Sequence, residues 1–197
     1  MKIVNILEST RPIKSDIRNA YIDFSKMNLS LVAVVTDVIR NGRPVIGYGF
    51  NSNGRYGQGH LMRERFIPRI LEAPADNLLD DSGQNLDPHK IWATMMTNEK
   101  PGGHGERSVA VGTMDMAIWD AVSKAAGLPL CAMLGGSVGS IHTYNTNGLW
   151  LLPPSSLGTQ AKELVEEGHF SAIKIRLGRD KLADDLSALQ EVRDRKS

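Results

Sequence analysis

Phe170-Ser171-Ala172-Ile173-Lys174-Ile175-Arg176-Leu177-Gly178 is the stretch on which the fold turns. Side chains of a strand alternate between faces, so Ile173, Ile175 and Leu177 share one face and Lys174 and Arg176 the other. A parallel strand is covered on both faces and reads as a near-continuous apolar run. Two cations on one such face are costly to bury. They stand near the strand's C-terminal end, where barrel enzymes gather their catalytic groups. The competing reading is an edge strand whose polar face meets water. The neighbouring segments favour an interior strand.

Outward from this stretch, Ile141 to Asn147 reads as a strand, Ser156 to Gly168 as a helix and Lys181 to Arg195 as another. Strand and helix in alternation mean parallel βαβ units. A complete barrel needs eight, in roughly 250 residues. Two are expected here, with the chain stopping at Ser197 inside a helix, so the barrel is read as incomplete.

The N-terminal side has a different rhythm. Lys2 to Ile13, Ser30 to Ile39 and Pro44 to Phe50 are rich in β-branched and apolar residues, and Asn41-Gly42 is a strong hairpin signal. The spacing predicts a three-stranded antiparallel meander. Leu61, Phe66 and Ile70 fall on one helix face, with Pro68 expected to kink or end that helix. Asp87-Pro88 caps a short helix, and Glu106 to Ala126 forms the longest one, stopped by Gly127 and Pro129. Ala110, Ala117, Ala121 and Ala125 give that helix a narrow stripe for close approach. The fold class is therefore α/β with an α+β N-terminal cap: a domain over 1–136, then two βα units over 137–197.

Composition excludes several classes of function. The 197 residues are 41% hydrophobic and 23% charged with a net charge of +1, so no basic field suggests nucleic acid. Cys131 is the single cysteine, which rules out a disulfide framework or a cysteine zinc site. Polar residues interrupt the apolar run at the N-terminus too early for a signal peptide, and no stretch is apolar enough to span a bilayer. A cytoplasmic protein without membrane contact is expected.

A second cation beside a lysine favours the neutral, proton-accepting form of the lysine. Arginine stays protonated and holds a carboxylate bidentately instead. Lys174 with Arg176 thus points to proton abstraction next to an anionic group. Asn145 and Asn147 share a face at the end of the first barrel strand, where substrate contact and capping of the next loop are both open. His104 and His142 read as loop and strand residues without a metal role. Gly47-Tyr48-Gly49 ends a hairpin strand and is no dinucleotide loop. The Arg63-Glu64-Arg65 run and the Asp184-Asp185 pair read as solvated helix faces.

From Ala110-Val111-Gly112-Thr113-Met114-Asp115 through Trp119-Asp120 and Gly127-Leu128-Pro129 to Gly135-Gly136, the sequence resembles the helix-and-turn signature of the enolase superfamily, mandelate racemase type. Lys174-Ile175-Arg176 sits where that family carries a Lys-X-Lys motif on its second barrel strand. The stretch from Asn98-Glu99-Lys100 to Arg107 looks most like the D-tartrate dehydratases of the family. The resemblance implies catalytic roles for Lys174 and Arg176 and substrate contacts from Lys100 and an asparagine of the first polar loop, Asn51 or Asn53; Asn145 and Asn147 stand as candidates by their place on the strand. It implies a small carboxylate substrate (an acid sugar), magnesium in the full-length family and a homo-oligomer for the full-length enzyme. Two departures accompany it. Arg176 stands where the family's usual base is a lysine, and the strands bearing the metal carboxylates are absent, so no metal is expected on this chain. The activities implied are an acid-sugar dehydratase or a racemase/epimerase, each beginning with loss of the proton α to a carboxylate; the third reading is a truncated chain without turnover of its own.

Overall fold

Three antiparallel strands in sequence order, β1 (Ile3–Pro12), β2 (Asn28–Arg40) and β3 (Arg43–Phe50), form the sheet of the computed structural model, which describes residues 1–51, 57–102 and 105–196. The β2–β3 hairpin turns at Asn41 and Gly42, with φ of 50° and 73°, as a tight primed turn demands. Burial in β2 alternates strictly: Ser30, Val32, Val34 and Thr36 face inward. On β3 the inward positions are Val45, Gly47 and Gly49.

The helices of this part of the chain are α1 (Gln58–Leu61), α2 (Ile67–Leu71), α3 (Pro88–Met96), α4 (Glu106–Ala126), which lies across β2 and β3, and the short α5 (Leu130–Met133). Of the two outcomes expected at Pro68, a kink or an end, the helix does not end: it runs on to Leu71. A π turn at Met62–Phe66 precedes it, and the N–H of Ile67 bonds the carbonyl of Met62. The widened turn accommodates a residue that lacks an N–H and crowds the preceding carbonyls. Asp87 caps α3 by accepting from the N–H groups of His89 and Lys90. Gly127, at φ 70°, ends α4 in the left-handed conformation. Met114, Ala117, Ile118 and Ala121 of α4 share one core with Val32, Val34, Phe66, Ile70, Ile91 and Met95.

Two compact units result: unit 1 holds 1–13 and 27–138, and unit 2 holds 14–26 and 139–197. The segment 14–26, expected within the cap, groups with unit 2. Arg18 and Asp23 pair within the segment in an antiparallel bridge, and its Phe24 ring stands edge-on to Trp150 at 6.4 Å.

Unit 2 is built on α6 (Pro154–Glu166) and α7 (Leu182–Lys196). Leu157, Ala161 and Leu164 of α6 enclose a small core with Leu149, Ala188 and Val192, and Ile173 and Ile175 pack on it. The two expected strands are not regular strands. They meet in a single parallel bridge, Asn145 to Ile173, whose hydrogen bonds run from the Asn145 N–H to the Ala172 carbonyl and from the Lys174 N–H to the Asn145 carbonyl. The direction is that of a βαβ unit, but among the described residues neither segment has a second strand beside it. An isolated pair is too weak to hold a continuous ladder.

Candidate active site

The Asn145–Lys174 pairing sets the geometry of the unit 2 candidates. Asn145 is buried, and its side chain is used on all sides: Nδ2 donates to the Leu164 carbonyl (3.0 Å) and to Glu167 (3.2 Å), while Oδ1 accepts from the Asn147 N–H (3.0 Å). It fastens the end of the first β-like segment to the C-terminal turn of α6. Asn147 is exposed beside it. Lys174 is exposed too, where an interior strand would have buried it, because no described strand covers that face. Ile173 and Ile175 point to the core as the alternation predicts, whereas Leu177 is exposed.

Arg176 is half-buried and tightly engaged. Its Nη1 donates to the carbonyls of Thr146 (2.9 Å) and Gly148 (2.8 Å), and its guanidinium lies 3.9 Å over the Trp150 ring. Burial pushes its pKa below the usual arginine value. The guanidinium therefore ties the second β-like segment to the loop after the first. The Arg176 N–H also bonds the carbonyl of Leu149, a buried residue at φ 54° whose own N–H is held by the Gln160 side chain (2.7 Å). A leucine in the left-handed region is uncommon, and packing with bonds on both sides holds it there.

The second β-like segment ends beside a cavity of about 600 Å³ lined by Arg18, Asn19, Leu152, Gly178, Arg179 and Asp184 among others. Arg179 donates to Asp185 at 2.9 Å and to the carbonyl of Leu152 at 2.7 Å. The Gly178 N–H, together with the Arg179 side chain, holds the Asp185 carboxyl below the usual carboxylate range. Asp185 is thus no solvated helix residue, as its sequence context suggested; it closes the turn before α7. Nothing local in the sequence announces this pair.

In unit 1, Asn51 extends the sheet. Its Oδ1 accepts from the Ser30 N–H (3.2 Å), and its Nδ2 reaches the Thr113 hydroxyl (3.4 Å). Asn53 and His104 lie outside the described residues. Lys100 is exposed and lines a cavity of about 440 Å³ with Arg65, Arg69 and Glu99. The Arg63-Glu64-Arg65 run is likewise more than a solvated face, since Arg63 pairs with the buried Glu8 and Arg65 with Glu99.

Magnesium requires oxygen ligands gathered at one point. Among the described residues no three His, Cys, Asp or Glu side chains gather in that way. The described residues by themselves do not offer the ligand set that magnesium needs.

No family model matches the chain. Over 168 residues, 84% of the chain, it is 31% identical to L-talarate/galactarate dehydratase of Salmonella typhimurium, of which it covers 40%. Over 86 residues, 44% of the chain, it is 33% identical to L-Ala-D/L-Glu epimerase of Bacillus subtilis, covering 23% of that protein. The solved structure of an enolase from Bradyrhizobium complexed with magnesium and mandelic acid is 26% identical and superposes with a TM-score of 0.72 over 98% of this chain and 50% of its own. The relatives and structural neighbours of the chain are members of the enolase superfamily, and the chain shares their fold. Its fold is that of an enolase-like capping domain followed by part of a barrel. The chain spans about 40% of the first of these relatives and half of the solved structure. No described helix is long and apolar enough to cross a membrane.

Proposed function

We propose that this chain supplies the N-terminal part of an acid-sugar dehydratase that removes the proton α to a carboxylate, with substrates of the D-tartrate or galactarate kind. The observation that carries the reading is the parallel pairing of Asn145 with Ile173 and Lys174, which sets an exposed lysine next to a fixed arginine at the second barrel position. Lys174 accepts the α-proton, and the β-hydroxyl leaves as water with a proton drawn from solvent. The cationic Arg176 cannot act as the base; it offsets the negative charge that develops on the carboxylate and holds the loop bearing Asn147. Asn147, and Lys100, Asn51 and Asn53 of the cap, are the proposed substrate contacts, while Asn145 positions the strand end. Magnesium and homo-oligomer formation belong to the same proposal for the full-length enzyme.

Likeness to an epimerase as well as to a dehydratase favours a second reading, in which the proton returns to the same carbon and no water is lost. The test is α-proton exchange in deuterium oxide on D-tartrate and galactarate with magnesium. It is run with the chain alone and with the chain supplied with the C-terminal part of the Salmonella relative. Exchange that disappears in Lys174→Ala supports the proposal, and release of water separates dehydratase from epimerase. Exchange untouched by Lys174→Ala overturns the role of the lysine. No exchange in either arm leaves a polypeptide without turnover.

A further inference from the structure

Three guanidinium groups of unit 1 converge on one carboxylate. Glu99 Oε1 accepts from Arg69 at 2.8 Å and from Arg65 at 3.3 Å, and Oε2 accepts from Arg107 at 3.3 Å. The floor of this arrangement is rigid. Arg107 is 7% exposed and also donates to the carbonyls of Lys100 (2.8 Å) and Gly102. Arg69 also holds the Met95 carbonyl at 2.7 Å. Arg65 differs from both. It is 45% exposed, and its bonds to Glu99 are long.

One carboxylate cannot neutralise three guanidinium groups. With Lys100 on the same wall, four cations face one anion around a cavity of about 440 Å³. Like charges held this close repel one another, and an anion entering between them relieves that repulsion. Guanidinium groups on fixed supports present paired N–H donors, which suit the planar oxygens of carboxylate and phosphate. Removal of Glu99 from water adds a second constraint, because its buried charge must stay matched and therefore keeps the arginines in place.

We propose that the open wall of this cavity, formed by Arg65, Arg69 and Lys100, binds a small oxyanion carrying at least two negative charges, a dicarboxylate or a phosphate. Lys100 is shared with the proposed substrate contacts, so the deciding variant is Arg65→Gln, which is outside them and exposed enough to leave the fold intact. Isothermal titration of the whole chain with sodium phosphate, sodium succinate and sodium chloride at matched ionic strength tests the site. Saturable one-site binding of phosphate or succinate, weakened about tenfold in Arg65→Gln with an unchanged circular dichroism spectrum, is the expected result. Whichever of the two binds identifies the source of the anion. Heats equal to those of chloride, or undiminished affinity in Arg65→Gln, overturn the proposal. A negative exchange assay for Lys174 has no bearing on this result.

Discussion

Gly47 of β3 lies directly against the backbone of Ala117 in α4: a Cβ at position 47 would stand 2.0 Å from the Ala117 carbonyl oxygen and 2.4 Å from the Ala121 nitrogen. Gly49 repeats the relation one helical turn earlier, 2.2 Å from the Thr113 carbonyl. The alanine stripe of α4 and the two strand glycines are halves of one close contact. Gly47→Ala is expected to destabilise unit 1 by about 3 kcal/mol, because backbone rather than a flexible side chain must move. Gly112→Ala, in the same helix and with open space around it, should instead stabilise by about 0.5–1 kcal/mol through helix propensity. Urea unfolding followed by circular dichroism separates the two. Equal midpoints for both variants would refute the close contact.

The cap of α3 makes a smaller and equally definite prediction. Asp87 accepts from two N–H groups of the first turn, His89 at 2.8 Å and Lys90 at 3.2 Å. Asp87→Ala should cost about 1 kcal/mol, and Asp87→Ser should restore most of it. The same urea titration reads both variants.

Glu99 and Asp115 should bend the pH dependence of stability in opposite senses. Burial alone would raise the Glu99 pKa, but hydrogen bonds from Arg69 and Arg107 with the charge of Arg65 bring it below its ordinary value. A carboxylate lowered on folding stabilises above its unfolded pKa, and that stability is lost as pH falls through the folded one. Burial raises the Asp115 pKa, only partly offset by His89. Its ionised form is disfavoured on folding, so stability present below the unfolded pKa is lost as pH rises through the folded one. Glu99→Gln should therefore lose stability at pH 7 and flatten the acid limb below about pH 4. Asp115→Asn should gain stability at pH 7 and little at pH 3. Melting temperatures of both variants across pH 3–8 check the signs.

Arg176 gives a spectroscopic handle on unit 2. Its guanidinium covers the Trp150 ring at 3.9 Å and bonds two carbonyls of the preceding loop. Arg176→Ala should shift Trp150 emission and destabilise the unit by about 1–2 kcal/mol. Arg176→Lys should rescue little of this, since an ammonium cannot stack and fork together. Fluorescence read in a variant with Trp92 and Trp119 replaced by Phe would isolate the signal.

The local chemistry of the chain made much of this legible. Asn41-Gly42 announces its turn because both residues tolerate positive φ, and Gly127 announces the end of α4 for the same reason. The period of two in Ser30, Val32, Val34 and Thr36 marks the inward face of β2. Lys174 and Arg176 stood out as cations in an apolar strand, but their fates differ. One faces outward, and the other is locked onto Trp150 and two carbonyls, partners far off in sequence. The π turn before Pro68 was not legible, since it depends on how the surrounding helices seat Met62 and Phe66 in the core.

By itself, then, the sequence determined an antiparallel meander, a long alanine-striped helix, two later helices and the parallel sense of the segments before them, though not that those segments would meet in a single bridge. Each follows from interactions among residues a few positions apart, where propensity and periodicity act. Only the tertiary structure decided that Gly47 and Gly49 admit the α4 backbone and that Glu99 gathers three arginines. It alone decided that Asp185 closes a turn on Arg179 and that 14–26 belongs with unit 2. Most of those relations join residues distant along the chain, and the shorter-range pair of Arg179 and Asp185 depends on how the turn before α7 folds. Their energy comes from packing and charge pairing once the backbone is in place, so no local pattern carries them.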